Sequence, residues 1–280
     1  MNKLILTLLF TIVVHESDLK AQFLYKLPIE YTDYQLIFGT ITINGEKVTA
    51  LFDTGNFSEL RISATFAKKH GIQLRSAEIT SKSVNGSNGD IMKGKLDSLS
   101  IAGLILKNYE FDCIENYIEN VSKKVNKSFD VVVGWPFFRN YFFELDIKRQ
   151  YLSFSKKQFW KENDSGFIPL VSVNNVPVIK GEIQGTISNL LFDCGAPFSK
   201  IDSSFASQII REKDTLESFK SYKIPMKVFD VTFHDSKYRI NFNPSDIKNT
   251  RCNGIIGNNF ISKYQIRFNP ISSSIKFVSL

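Results

Sequence analysis

The strongest constraint on this chain is that it repeats itself. Residues 43–56, INGEKVTALFDTGN, lie on residues 183–196, IQGTISNLLFDCGA, without a gap. Gly45 falls on Gly185, Leu51-Phe52-Asp53 on Leu191-Phe192-Asp193, and Gly55 on Gly195. Eight positions therefore separate turn glycine from Asp in both copies. Flanking matches keep the same order. Leu27-Pro28 precedes the first copy as Ile168-Pro169 precedes the second, and the helix-like piece from Ile62 to Ala67 lies on Ile201 to Ala206. Val131-Val132-Val133-Gly134 falls on Gly254-Ile255-Ile256-Gly257, followed by Phe137 on Phe260, Tyr141 on Tyr264 and Phe154 on Phe277. A run of ordered matches points to a diverged duplication. Each copy predicts a strand, a tight glycine turn, a second strand and a polar loop that carries Asp.

Composition sets the class of structure. The chain has 280 residues, 25 of them Phe and 10 Tyr, and is 43% hydrophobic. Aromatic residues at this density favour half-buried strands, and helix-period stretches are few, so the expectation is a mostly β protein. It should form two related lobes of six to eight strands with a cleft between them, over residues 22–157 and 158–280. The polar run KKQFWKENDSG, residues 156–166, reads as their connection. The first copy is longer in its middle. There Asn85, Gly86, Ser87, Asn88 and Gly89 form a Gly/Asn-rich tip between strand-like segments, as a hairpin would need.

Residues 1–21 read as an export signal. Lys3 is followed by an uncharged apolar run from Leu4 to Val14, and Ala21 offers a small residue before a cut at Gln22. The run is too short to anchor a bilayer span. No other segment is long enough, so the mature chain is expected to be exported to a periplasm or the exterior without a membrane span. The net charge of +7 is scattered. With neither a basic stripe nor a reader motif, nucleic acid is not an expected partner. Three cysteines, Cys113, Cys194 and Cys252, leave an odd thiol in an exported chain, with a Cys113–Cys252 bridge as one pairing. His70 and His234 have no ligand-like spacing, and no G-x-S-x-G elbow is present, so neither a metal, a cofactor nor a serine nucleophile is expected.

Chemistry follows from the repeated Asp. Both Asp53 and Asp193 come directly after an apolar segment, at the end of a buried strand, where a lone charge is costly. Two copies facing one another bring the carboxylates together. Two carboxylates in contact share one proton: the ionised member works as a general base on water, and the protonated member donates to a substrate carbonyl. Gly55 and Gly195 permit the close approach this requires.

Apolar-apolar-Asp-Thr-Gly at Asp53-Thr54-Gly55, with its second version Asp193-Cys194-Gly195 and the later Val133-Gly134 and Ile256-Gly257 segments, resembles the retropepsin/pepsin clan of aspartyl proteases. It is most similar to bacterial retropepsin-like forms with two such units in one chain. The resemblance implies two pseudo-symmetric β-barrel lobes and an endopeptidase using Asp53 and Asp193 without a cofactor. It further implies support from Thr54, Gly55, Cys194 and Gly195, and a flap at residues 85–89 over an extended peptide or protein substrate. A monomer suffices, because each Asp finds its partner within the chain. In the family a Thr or Ser hydroxyl follows each Asp and braces the opposite loop. Cys194 departs from this and implies a weaker brace on one side. A catalytically weakened module that only binds peptide or protein is the alternative reading.

Overall fold

A computed structural model describes residues 23–82, 88–161, 165–209, 216–218, 225–247 and 251–280. The export-type segment, residues 1–21, lies outside them. So do Asn85, Gly86 and Ser87.

The first half runs β1 (Tyr25–Tyr31), β2 (Ile37–Ile43), β3 (Glu46–Asp53), β4 (Leu60–Ile62), α1 (Ala64–Lys69), β5 (Arg75–Lys82), β6 (Asn88–Ile101) and β7 (Leu104–Ile114). It continues with α2 (Tyr117–Lys124), β8 (Val131–Gly134), α3 (Trp135–Phe138), β9 (Phe142–Asp146) and β10 (Tyr151–Ser155). The second half runs β11 (Ile168–Val173), β12 (Val176–Ile183), β13 (Thr186–Phe192), β14 (Lys200–Asp202), α4 (Ser203–Ile209) and β15 (Leu216–Ser218). After these come β16 (Pro225–Phe233), β17 (Ser236–Ser245), β18 (Gly254–Ile256), α5 (Asn258–Ile261), β19 (Tyr264–Asn269) and β20 (Ser274–Ser279). The expected mostly β character is what the chain adopts, with more and shorter strands than six to eight per half. No described helix is long and apolar enough to cross a membrane.

The glycine turns sit where the repeat puts them. Asn44 and Gly45 have φ of 49° and 87°, and Gln184 and Gly185 have 50° and 83°. Two consecutive positive φ values make the tight hairpin whose twist suits flanking strands, and glycine takes the second position without Cβ strain. These turns set the registers Ile43↔Glu46 and Ile183↔Thr186. β3 then lies parallel to β8, pairing Asp53 with Gly134, and β13 lies parallel to β18, pairing Phe192 with Ile256. Each Asp strand is thus covered on both edges. Burial on both faces explains why Ala50-Leu51-Phe52 and Leu190-Leu191-Phe192 read as unbroken apolar runs. Phe52 enters the main core while Leu51 points into a second cluster with Phe38, Ile118 and Phe129.

A six-stranded antiparallel sheet joins the halves, in the order β1-β10-β9-β19-β20-β11. At its centre β9 meets β19, with Leu145 opposite Ile266, Glu144 opposite Arg267 and Phe143 opposite Phe268. Behind it Trp135 packs edge-on to Phe268 at 4.7 Å, so one apolar core spans both halves. Burial on this scale is the main stabilising contribution to such a fold. The connection is not merely polar. Trp160 is buried within it, edge-on to Phe142 at 5.7 Å.

Candidate active site

Asp53 ends β3 and Asp193 follows β13, and the fold brings them together across the halves. Each carboxyl group lies against the opposite glycine. A Cβ on Gly55 would come within 2.5 Å of the Asp193 carboxyl carbon, and one on Gly195 would overlap the Asp53 carboxyl. Only glycine leaves room for two carboxylates to cross in this way. Asp193 Oδ1 accepts from the Gly195 N–H at 2.8 Å, and the Asp53 and Asp193 side chains hydrogen-bond to one another.

Beneath them a brace links the two loops. Thr54 Oγ1 donates to the Phe192 carbonyl at 2.9 Å and accepts from the Cys194 N–H at 2.9 Å. The reciprocal half uses sulfur: Cys194 Sγ lies 3.4 Å from the Phe52 carbonyl and accepts from the Thr54 N–H at 3.4 Å. The expected weakening therefore takes a specific form. Both halves of the brace are made, and the thiol half is longer and softer because S–H is a weak donor and sulfur a weak acceptor. Burial pushes the Cys194 thiol up to about 12, so it stays protonated and able to donate. Asn258 adds another tie, its Nδ2 donating to the Gln35 carbonyl at 2.6 Å and the Cys194 carbonyl at 2.8 Å.

Burial raises both carboxyl groups above the ordinary aspartate value. For Asp53, the hydrogen bond from Asp193, the charge of Arg61 and the Gly55 and Asn56 N–H groups oppose that rise. Asp193 is raised well above it, first by burial and then by the charge of Asp53 and their shared hydrogen bond. Unequal surroundings split one proton unevenly between two carboxylates, which is the arrangement acid–base hydrolysis uses.

Of the flap residues read from the sequence, Asn88 and Gly89 begin β6, opposite Lys82 and Ser81 of β5. Asn85, Gly86 and Ser87 fall outside the described residues. Cys113 and Cys194 are free thiols, so the Cys113–Cys252 bridge is not formed. Among the described residues no group of three His, Cys, Asp or Glu is placed to hold a metal.

Sequence reasoning missed Arg61 and Tyr117. Arg61 is 3% exposed, its guanidinium carbon 4.6 Å from the Tyr117 ring centroid and 5.0 Å from that of Phe57. The only local signal was a charge set between Leu60 and Ile62 just after the Asp loop. It missed Asn258 as well, which the repeat aligns with Trp135.

No curated protein matches this chain. Residues 39–137 match the family model described as aspartyl protease, a span that holds the Asp53 loop and β8 beside it. Over those residues the chain is similar to aspartyl proteases.

Proposed function

We propose that the chain is an aspartic endopeptidase in which Asp53 and Asp193 activate one water molecule between two pseudo-symmetric lobes. The observation that carries this reading is the crossing of the two carboxyl groups over Gly195 and Gly55, with the Thr54–Cys194 brace beneath. An ionised carboxylate takes a proton from the water as it attacks the peptide carbonyl. The protonated partner donates to the developing oxyanion; on collapse the first carboxyl gives the water-derived proton to the leaving amine and the partner takes its own proton back from the diol hydroxyl. No covalent intermediate is needed. The equivalent pairings of β2–β3, β3–β8 and β6–β7 with β12–β13, β13–β18 and β16–β17 support a duplicated unit. Because Asp53 meets its partner within the chain, the enzyme works as a monomer on extended peptide or protein, after export and removal of residues 1–21.

The test is cleavage of a mixed peptide library by the chain from Gln22 onward, beside Asp53→Asn and Asp193→Asn. Cleavage by the wild type that is lost in both variants supports the shared pair. A folded wild type that cuts nothing from acid to neutral pH would leave a peptide-binding module instead.

A further inference from the structure

Behind Asp53 lies a buried positive charge that hydrolysis by two carboxylates does not by itself require. Arg61 sits on β4, whose neighbour β8 is also the neighbour of the Asp53 strand. Its Nη2 donates to Ser58 Oγ at 3.2 Å, and Ser58 Oγ donates to Asp112 Oδ2 at 2.6 Å. Its route to that carboxylate therefore runs through a hydroxyl, and Asp112 is also 3.8 Å from the Lys93 ammonium. Arg61 Nε is buried and has no partner among the described residues. The Phe57 and Tyr117 rings cover the guanidinium, which adds cation–π attraction but no counter-charge.

A guanidinium out of water needs an anion, and a buried carboxylate pair with one proton carries one. Arg61 stands on the Asp53 side of the pair, with only β8 between β4 and β3, and its charge opposes the rise of Asp53, while the strongest influences on Asp193 after burial both raise it. The Tyr117 hydroxyl, pushed up to about 12 by burial and by Asp53, stays neutral beside the guanidinium. Glu119 Oε1 accepts from the Thr65 N–H and hydroxyl at 3.2 and 2.9 Å; its Oε2 is buried without a partner among the described residues, and no ion pair joins it to Arg61 there. Burial, and after it Glu119, raises Cys113 to about 11, so it stays a neutral thiol.

We propose that Arg61 is a positioning residue of the carboxylate pair: its buried guanidinium is the counter-charge that fixes the ionised form on Asp53 and the proton on Asp193. Asp53 is then the base toward water and Asp193 the acid toward the carbonyl. This rests on the two-carboxylate reading above.

The test compares full-length mature wild type with Arg61→Gln, Arg61→Lys and Asp112→Asn. It follows the Asp carboxyl 13C resonances across pH, together with kcat/KM against pH on a peptide the wild type cleaves. Loss of the cation in Arg61→Gln is expected to move the Asp53 titration and the acid limb of the rate profile upward by about one pH unit. That is roughly a tenfold loss of rate on that limb. Arg61→Lys should restore most of the shift. Asp112→Asn, which removes the competing anion, should move the limb downward. A folded Arg61→Gln with a wild-type titration overturns the proposal. If that variant does not fold, an upward shift or none in Asp112→Asn overturns it instead. The carboxyl resonances report on Arg61 even if no peptide is cut, so the proteolytic reading can fail separately.

Discussion

A hydroxyl and a thiol share the brace beneath the carboxylates, and the half-ångström between their contacts, 2.9 against 3.4 Å, has a measurable consequence. Cys194→Thr is expected to raise kcat/KM a few-fold and stability by about 1 kcal/mol, the net worth of one good hydrogen bond. Urea denaturation and steady-state cleavage check both, and a loss of either would count against the brace as the limiting feature. The carboxylates themselves work against stability. Their values in the folded chain are raised above 3.8 by burial, so the folded state holds protons that the unfolded state has released. Stability therefore falls as pH climbs from the unfolded value through the folded one. Asp193→Asn keeps the shape and cannot ionise. It is expected to melt above the wild type at neutral pH, with the difference closing near about pH 3, where both Asp are protonated in either state. Equal melting temperatures at both pH values would remove the burial account. The Asp loops were legible in the sequence because their signals are local: a turn glycine, an apolar strand, then Asp-x-Gly, twice. Arg61 was not. Its surroundings depend on Tyr117 and Asp112, which the chain supplies about fifty residues later, on β7 and just after it, and no local pattern announces that meeting.

Glu144 on β9 and Arg267 on β19 belong to the elements that join the halves. Arg267 Nε donates to Glu144 Oε2 at 2.7 Å, and their side chains are only 12% and 9% exposed. The repeat that sets Tyr141 on Tyr264 also sets Glu144 on Arg267, so the two residues are counterparts that face each other where the copies meet. Tyr151 donates to Glu144 Oε1 at 3.0 Å, and Gln265 accepts from Arg267 Nη2 at 2.8 Å, so the pair is supported on both sides. Glu144→Arg, which opposes two cations, is expected to cost about 3–5 kcal/mol. Adding Arg267→Glu should recover most of it, and a denaturant double-mutant cycle reads the coupling. Additive losses would show that the pair contributes packing and not charge. Strands β9 and β19 were legible only as elements. FFELD and YQIRFN mark strands with polar positions among apolar ones, but that Glu144 and Arg267 meet follows from docking of the halves.

At the scale of the whole molecule, the shared sheet and the single core make separation of the halves a large event. Phe143 and Phe268, 5.5 Å apart, lie in the same cluster as Phe52 and Phe192, the residues just before each Asp. Trp160 holds the connection to the first half, which the run KKQFWKENDSG had suggested was a polar tether; its charged residues obscured one buried aromatic anchor. Mostly β character was legible from the aromatic content, whereas the number of strands was not, because short pieces such as Leu60–Ile62 and Lys200–Asp202 are too brief to show alternation.

Cys194 turns this architecture into a clock. Its thiol is 2% exposed, held in the neutral form that alkylating reagents scarcely attack, and placed where the two halves touch. A reagent reaches it only when the loops part. Cys252 is only partly buried and burial pushes its thiol to about 11, below Cys194, so it should label sooner and peptide mapping of a labelling time course supplies its own internal comparison. If the loops part only when the molecule unfolds, the Cys194 rate should equal the global opening rate and rise with urea along the same slope. A faster rate, independent of urea, would mean that the halves breathe at the carboxylates while the sheet below stays paired. The residue that departs from the expected hydroxyl would then report how frequently the seam between the two Asp loops opens.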